Sequence, residues 1–142
     1  MIVSSDARMH PMVEFTLRWL PVLVWMAAIV GLPRLLSLDG SAQTSALAEL
    51  IRGAIHVFQY GVLSLLVYRA LYTPDRGSSG CREPDRRILF AAFGIAAGYG
   101  GFDELQQALL PGRQPSFLDL LVDALGSLLA LSGIVITRVL RR

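Results

Sequence analysis

The chain has 142 residues, of which 54% are hydrophobic and 17% charged, with a formal net charge of +2 and a mean hydropathy of +0.53. That length fits one domain spanning 1–142, and that composition excludes an ordinary soluble globular domain. A lone cysteine, Cys81, excludes a disulfide framework and a thiolate metal site, and the class left is an integral membrane protein.

Four apolar segments follow one another along the chain: about 19–36, 51–72, 88–110 and 117–139. Each is near the ~20 residues that a helix rising 1.5 Å per residue needs to cross a ~30 Å hydrocarbon core. Helix is the expected state, because a lipid-embedded segment must satisfy its own backbone groups, and a barrel needs at least ~8 strands of alternating polarity. The fold predicted is therefore all-α, a four-helix membrane bundle with both termini cytoplasmic.

The first segment is interrupted by Arg18, Pro21, Pro33 and Arg34, which leaves a clean apolar part the size of a signal-peptide core. The following "GLPRLLSLDG" offers no small-residue cleavage site, so a retained helix is expected. Orientation follows from the basic residues, all thirteen of which are arginine. Alternate sides receive Arg8, Arg18, Arg69, Arg76, Arg82, Arg86, Arg87, Arg138, Arg141 and Arg142 against Arg34, Arg52 and Arg113. The bias puts both termini and the Arg69 to Arg87 loop inside and the connections 34–51 and 111–116 outside. The basic balance thus reflects topology and attraction to anionic headgroups, and gives no reason to infer nucleic-acid binding. Cys81 falls in the inner loop and is expected to be a reduced thiol; Asp39, Glu49 and the inner-side arginines read as solvated loop charges.

Along the second segment His56, Gln59 and Tyr60 lie below the outer surface; the third brings Asp103, Glu104 and Gln107 to a comparable depth, and the fourth Asp119 and Asp123. His56 with Tyr60, Asp103 with Gln107, and Asp119 with Asp123 are spaced four apart and share a helix face. Small residues continue two of these faces inward, Gly100 and Ala96 behind Asp103, and Gly126, Ser127, Ala130 and Gly133 behind Asp123. Small residues let membrane helices approach closely, so these faces should meet in the interior, while Gly94-x-x-x-Gly98 and Ala97-x-x-x-Gly101 supply packing surface on the other sides of the third helix. Asp103 and Glu104 are consecutive and point about 100° apart. Asp103 should therefore pair with Gln107, with Glu104 on a second wall of the site or on a neighbouring helix. Gln59 and Tyr60 fit a packing or interfacial role equally well.

Between the third and fourth segments runs "LPGRQPS", a turn rich in Pro and Gly. Its Arg113 can fold back over Asp119 or reach a phosphate. Ser116 reads as the N-cap of the fourth helix with Asp119 at its third position, a capping-box pattern that is by itself a structural explanation for both. Asp123, one turn deeper, has no such explanation, and a buried carboxylate costs about 2.5–3.5 kcal/mol unless compensated.

The stretches "HVFQYGVLSLL" and "GGFDELQQALLPGRQPSFLDLLVDALGS" resemble the VanZ-like family of small membrane proteins, named after a teicoplanin-resistance protein. The signature H-x-x-x-Y, D-E-x-x-Q and P-G-R-x-x-S-x-x-D-x-x-x-[ND]-x-x-G falls on His56, Tyr60, Asp103, Glu104, Gln107, Pro111, Gly112, Arg113, Ser116, Asp119, Asp123 and Gly126. It spans the second helix through the fourth. The family commonly carries Asn where this chain has Asp123, which leaves open whether that position needs a charge or an amide. The resemblance implies a bacterial plasma-membrane protein acting at the outer face, with no settled reaction.

Two classes of function fit. In the first, His56, Asp103, Glu104 and Asp123 supply acid and base groups while Tyr60, Gln107, Arg113, Ser116 and Asp119 hold an envelope, lipid-linked or glycopeptide ligand at the headgroup level. No cofactor motif is present; a divalent cation (Mg²⁺, Ca²⁺ or Mn²⁺) held by His and carboxylates stays open as an alternative. In the second the protein is not an enzyme: it shields a ligand, or its polar cluster only locks the helices together. Transport fits less well, since no broken-helix pair or inverted repeat is visible.

Overall fold

A computed structural model describes residues 10–35, 46–72, 84–109 and 116–140. Four helices make up nearly all of this: α1 (Pro11–Leu35), α2 (Ala46–Leu71), α3 (Arg86–Ala108) and α4 (Phe117–Leu140). All four are long and apolar enough to cross a membrane. Their lipid-facing sides carry exposed leucine, isoleucine, valine and phenylalanine throughout, Leu23, Phe58, Phe90 and Leu128 among them. A water-soluble monomer does not expose apolar surface on that scale.

The boundaries follow local chemistry. Pro11 opens α1 at the position where a missing N–H costs nothing, and Glu14 favours the positive end of the helix dipole. α1 therefore starts well before the apolar run at Trp19. Asp85 caps α3 by accepting the Arg87 N–H, and Ser116 caps α4 by accepting the Asp119 N–H at 3.2 Å. α2 starts a turn earlier than its apolar run, with Glu49 in its exposed first turn; Glu49, Arg18, Arg69, Arg86, Arg87 and Arg138 are therefore helix residues and not loop charges, because the helices reach to or past the ends of their apolar runs. Arg113, the rest of its Pro/Gly turn, Cys81 and Asp39 lie outside the described residues.

Successive helices run antiparallel, so α2 and α4 are parallel and form the centre. Their contact is made by small residues. A Cβ added to Gly126 would stand 2.7 Å from the Val57 Cα, and one added to Gly61 would stand 3.3 Å from the Gly126 carbonyl oxygen. The Ser127 hydroxyl donates to the Tyr60 carbonyl at 3.2 Å and the Ser64 hydroxyl to the Ser127 carbonyl at 3.5 Å. α3 closes against both helices through buried Ala92, Ala96 and Gly100. Gly94, Gly98, Gly101 and Gly133 have no such neighbour within 4 Å, so only part of the expected small-residue surface is used.

α1 is peripheral and is held largely by side chains that bond to backbone. The Trp25 indole donates to the Gln59 carbonyl at 3.0 Å and the Tyr99 hydroxyl to the Met26 carbonyl at 2.7 Å. Pro21 has no N–H to give the Leu17 carbonyl four residues back. Arg69 of α2 donates to that carbonyl at 3.4 Å, while Arg18 of α1 donates to the Tyr72 carbonyl beyond the end of α2 at 3.5 Å. Each helix thus covers a backbone acceptor that the other leaves open.

Gly126→Ala is expected to force α2 and α4 apart and to cost about 1–3 kcal/mol by overpacking, whereas Gly98→Ala, which has open space, should be near neutral. Thermal unfolding of both variants in detergent checks this, and equal midpoints would refute the close contact.

Candidate functional site

Opposite the arginine-bearing end, α2, α3 and α4 bring the bundle's buried carboxylates together. Asp123 is 1% exposed and Asp103 and Glu104 are buried with it. His56 stands about 15 Å along the axis from the start of α2. Its Nδ1 lies 2.8 Å from Asp123 Oδ1, with the imidazole 15% exposed. This contact joins the two central helices. It is possible because Gly100 gives α3 no side chain there: a Cβ at that position would be 2.9 Å from Asp123 Oδ2 and 3.4 Å from Tyr60 Cε1.

Tyr60 stacks on His56 with ring centroids 6.3 Å apart and is fully buried. Its hydroxyl has no hydrogen-bond partner among the described residues, yet Asp123, Asp103, Tyr99 and Glu104 all act on it electrostatically. The oxygen is therefore within electrostatic reach of the carboxylate cluster. On α3, the Gln107 amide donates to Asp103 Oδ2 at 3.0 Å, which is the pairing expected from their spacing. Glu104 turns to the neighbouring helix, where its Oε2 accepts the Ser116 N–H at 2.7 Å. Its other oxygen, Oε1, is buried and has no partner among the described residues.

That last contact alters the role of Asp119. In a capping box the acid at the third helical position reaches back to the N-cap N–H. Here Glu104 of α3 has taken the Ser116 N–H, and only the Ser116 hydroxyl to Asp119 N–H half of the box forms. The Asp119 carboxylate is instead within electrostatic range of His56, Glu104 and Asp123.

The structure therefore gathers His56, Tyr60, Asp103, Glu104, Gln107, Ser116, Asp119 and Asp123 at one end, with Leu109 and Ser116 flanking the undescribed turn that carries Arg113. Gln59 serves instead to dock α1, its carbonyl accepting the Trp25 indole N–H. Tyr99 is a member that the sequence reading missed; its ring lies 6.5 Å from that of Tyr60. The spacing Tyr99 to Asp103 is one helix turn, so the signal was present. No group of three or more His, Cys, Asp and Glu side chains among the described residues is placed to hold a metal ion.

Removing the imidazole leaves a buried carboxylate oxygen without its partner. His56→Ala is expected to cost about 1–3 kcal/mol, and a double-mutant cycle with Asp123→Ala should give a coupling energy of about 0.5–3 kcal/mol. Equilibrium unfolding in mixed micelles measures both, and strict additivity would show that the two side chains do not interact.

No curated protein and no solved structure matches the chain. A family model described as VanZ/LLP1 matches residues 4–141. That match runs through all four helices and well beyond the signature-bearing part, and the chain belongs to the VanZ/LLP1 family.

Proposed function

We propose that the carboxylate end of the bundle is a site on the extracytoplasmic side of a bacterial plasma membrane, where it acts on a cell-envelope or lipid-headgroup ligand by proton transfer. The observation that carries this reading is the 2.8 Å contact between His56 Nδ1 and the buried Asp123 carboxylate. An ionised Asp123 accepts the Nδ1–H, which fixes the tautomer and leaves the Nε2 lone pair as the base. The imidazole is the partly exposed member of the pair, so it is the member a ligand can reach. Tyr60 supplies a buried hydroxyl beside it, and Asp103, Glu104 and Asp119 supply acids.

Binding groups follow from the same geometry. Gln107 holds Asp103 in place and has further amide capacity, and Ser116 and Asp119 begin α4 at the mouth of the cluster. Arg113, in the adjoining turn, is the natural holder of a phosphate or carboxylate on the ligand. The orientation rests on the arginine bias of the other end, since positive residues near helix ends stay inside. The link to glycopeptide (teicoplanin) resistance rests on the family resemblance.

A second reading is favoured by a specific observation: the same polar contacts tie the helices together, His56 to Asp123 across α2 and α4 and Glu104 to Ser116 across α3 and α4. In that case the protein is a non-enzymatic accessory or ligand-shielding membrane protein, and the cluster is structural.

His56→Gln separates the two, because an amide keeps a donor for Asp123 but cannot accept and release a proton. Under the first reading it leaves the unfolding midpoint within a few degrees of wild type and abolishes the change in envelope lipids, cell-wall precursors or teicoplanin susceptibility that accompanies expression. A His56→Gln protein that folds normally and retains that phenotype would falsify the proton-transfer role. Unchanged precursor and lipid profiles by mass spectrometry beside a persistent wild-type phenotype point to shielding.

A further inference from the structure

The other end of the bundle carries a second polar constellation. Arg18 of α1, Arg69 of α2 and Arg138 of α4 converge there on the end of α2. Arg18 donates to the Tyr72 carbonyl at 3.5 Å, Arg69 donates to the Leu17 carbonyl at 3.4 Å, and the Arg138 guanidinium lies 5.1 Å from the Tyr72 ring centroid. Tyr72 stacks on Tyr68, with centroids 5.8 Å apart and planes 15° from parallel. Tyr68 is 6% exposed, and its hydroxyl has no hydrogen-bond partner among the described residues. Arg138, Tyr72 and Asp85 act on it electrostatically.

We propose that Tyr68, Arg18, Arg69 and Arg138 form a binding site for the phosphate of an anionic phospholipid in the leaflet at this end. Four lines of physical argument converge on that ligand. A shielded, unpartnered hydroxyl within electrostatic reach of a guanidinium is a donor available to an anion, and guanidiniums bind phosphate oxygens through directed N–H groups. The local charge among the described residues has the right sign: Arg18, Arg69, Arg86, Arg87 and Arg138 stand against Glu14 and Asp85 at this end, and the Asp85 carboxylate accepts the backbone N–H of Arg87. Tyrosines favour the membrane interface, which puts the arginines at headgroup depth, where basic clusters between helices take anionic headgroups. Exposed Leu20, Leu65, Phe90 and Ile136 continue from the cluster toward the membrane centre and give acyl chains an apolar surface, which a free phosphate would not use.

The arginines are also held in place. A carbonyl fixes Arg18, the carbonyl opened by Pro21 fixes Arg69, and an aromatic face fixes Arg138, so less side-chain freedom is lost on binding than at a flexible basic tail. His56 and Tyr72 are separated by about 24 Å along α2. This site does not depend on the function assigned to the carboxylate end.

The test uses the full chain in nanodiscs of phosphatidylcholine, into which phosphatidylglycerol is titrated, with bound lipid read by native mass spectrometry after release. Wild type is expected to retain phosphatidylglycerol about tenfold more than phosphatidylcholine, and Arg138→Gln to lose about fivefold of that. Arg138→Lys should keep most of the preference, Tyr68→Phe should reduce it, and Arg87→Gln and His56→Gln should leave it unchanged. Excess inorganic phosphate should not displace the lipid. Equal retention of the two lipids, an Arg87→Gln loss as large as that of Arg138→Gln, wild-type retention by Tyr68→Phe, or displacement by inorganic phosphate each overturns the proposal. Should Arg138→Gln fail to fold, Tyr68→Phe, which removes a single oxygen, decides the question alone.

Discussion

Close approach of helix backbones at Gly61, Gly100 and Gly126 is the constraint on which the rest of this structure depends. A carboxylate below the membrane surface is tolerated only when another protein group meets it. Asp123 meets His56 because Gly126 lets α4 lie on the backbone of α2 and Gly100 lets α3 lie against Asp123 itself. Side chains at these positions would separate the helices by more than a hydrogen bond can span. Small residues here thus serve to concentrate polarity as much as to pack.

The two ends of the bundle solve the same solvation problem by different means. At the carboxylate end, acids are matched by an imidazole, an amide and a backbone N–H, each from a neighbouring turn or helix. At the arginine end, guanidiniums are matched by carbonyls and an aromatic face. Between them the core is apolar or small, from Leu63 and Val67 to Ala92 and Leu131. This segregation gives the molecule a polar axis along the membrane normal, and makes chemistry at one end largely independent of the other.

Much of this was legible from residue order. Apolar length gave the four helices, and spacing of four gave the shared faces of His56 with Tyr60 and Asp103 with Gln107. What escaped was of two kinds. The start of α1 at Pro11 was hidden because Glu14, Thr16 and Arg18 break the apolar run while the helix continues through them. The partner of Glu104 was hidden because it is a backbone N–H from the far side of a turn, and backbone groups carry no mark in a sequence. The same reason conceals the tie between Arg69 and Leu17: the proline that opens the carbonyl is visible, but the helix that covers it is not.

That tie bears on biogenesis. As the nascent chain enters the membrane, α1 arrives with one peptide oxygen that its own helix cannot serve, and the residue that serves it lies at the far end of the next span. Until α2 is in place, that oxygen lacks its Arg69 donor. Insertion of the second helix therefore supplies the first with a hydrogen bond that Pro21 denies it, and so couples the two crossings.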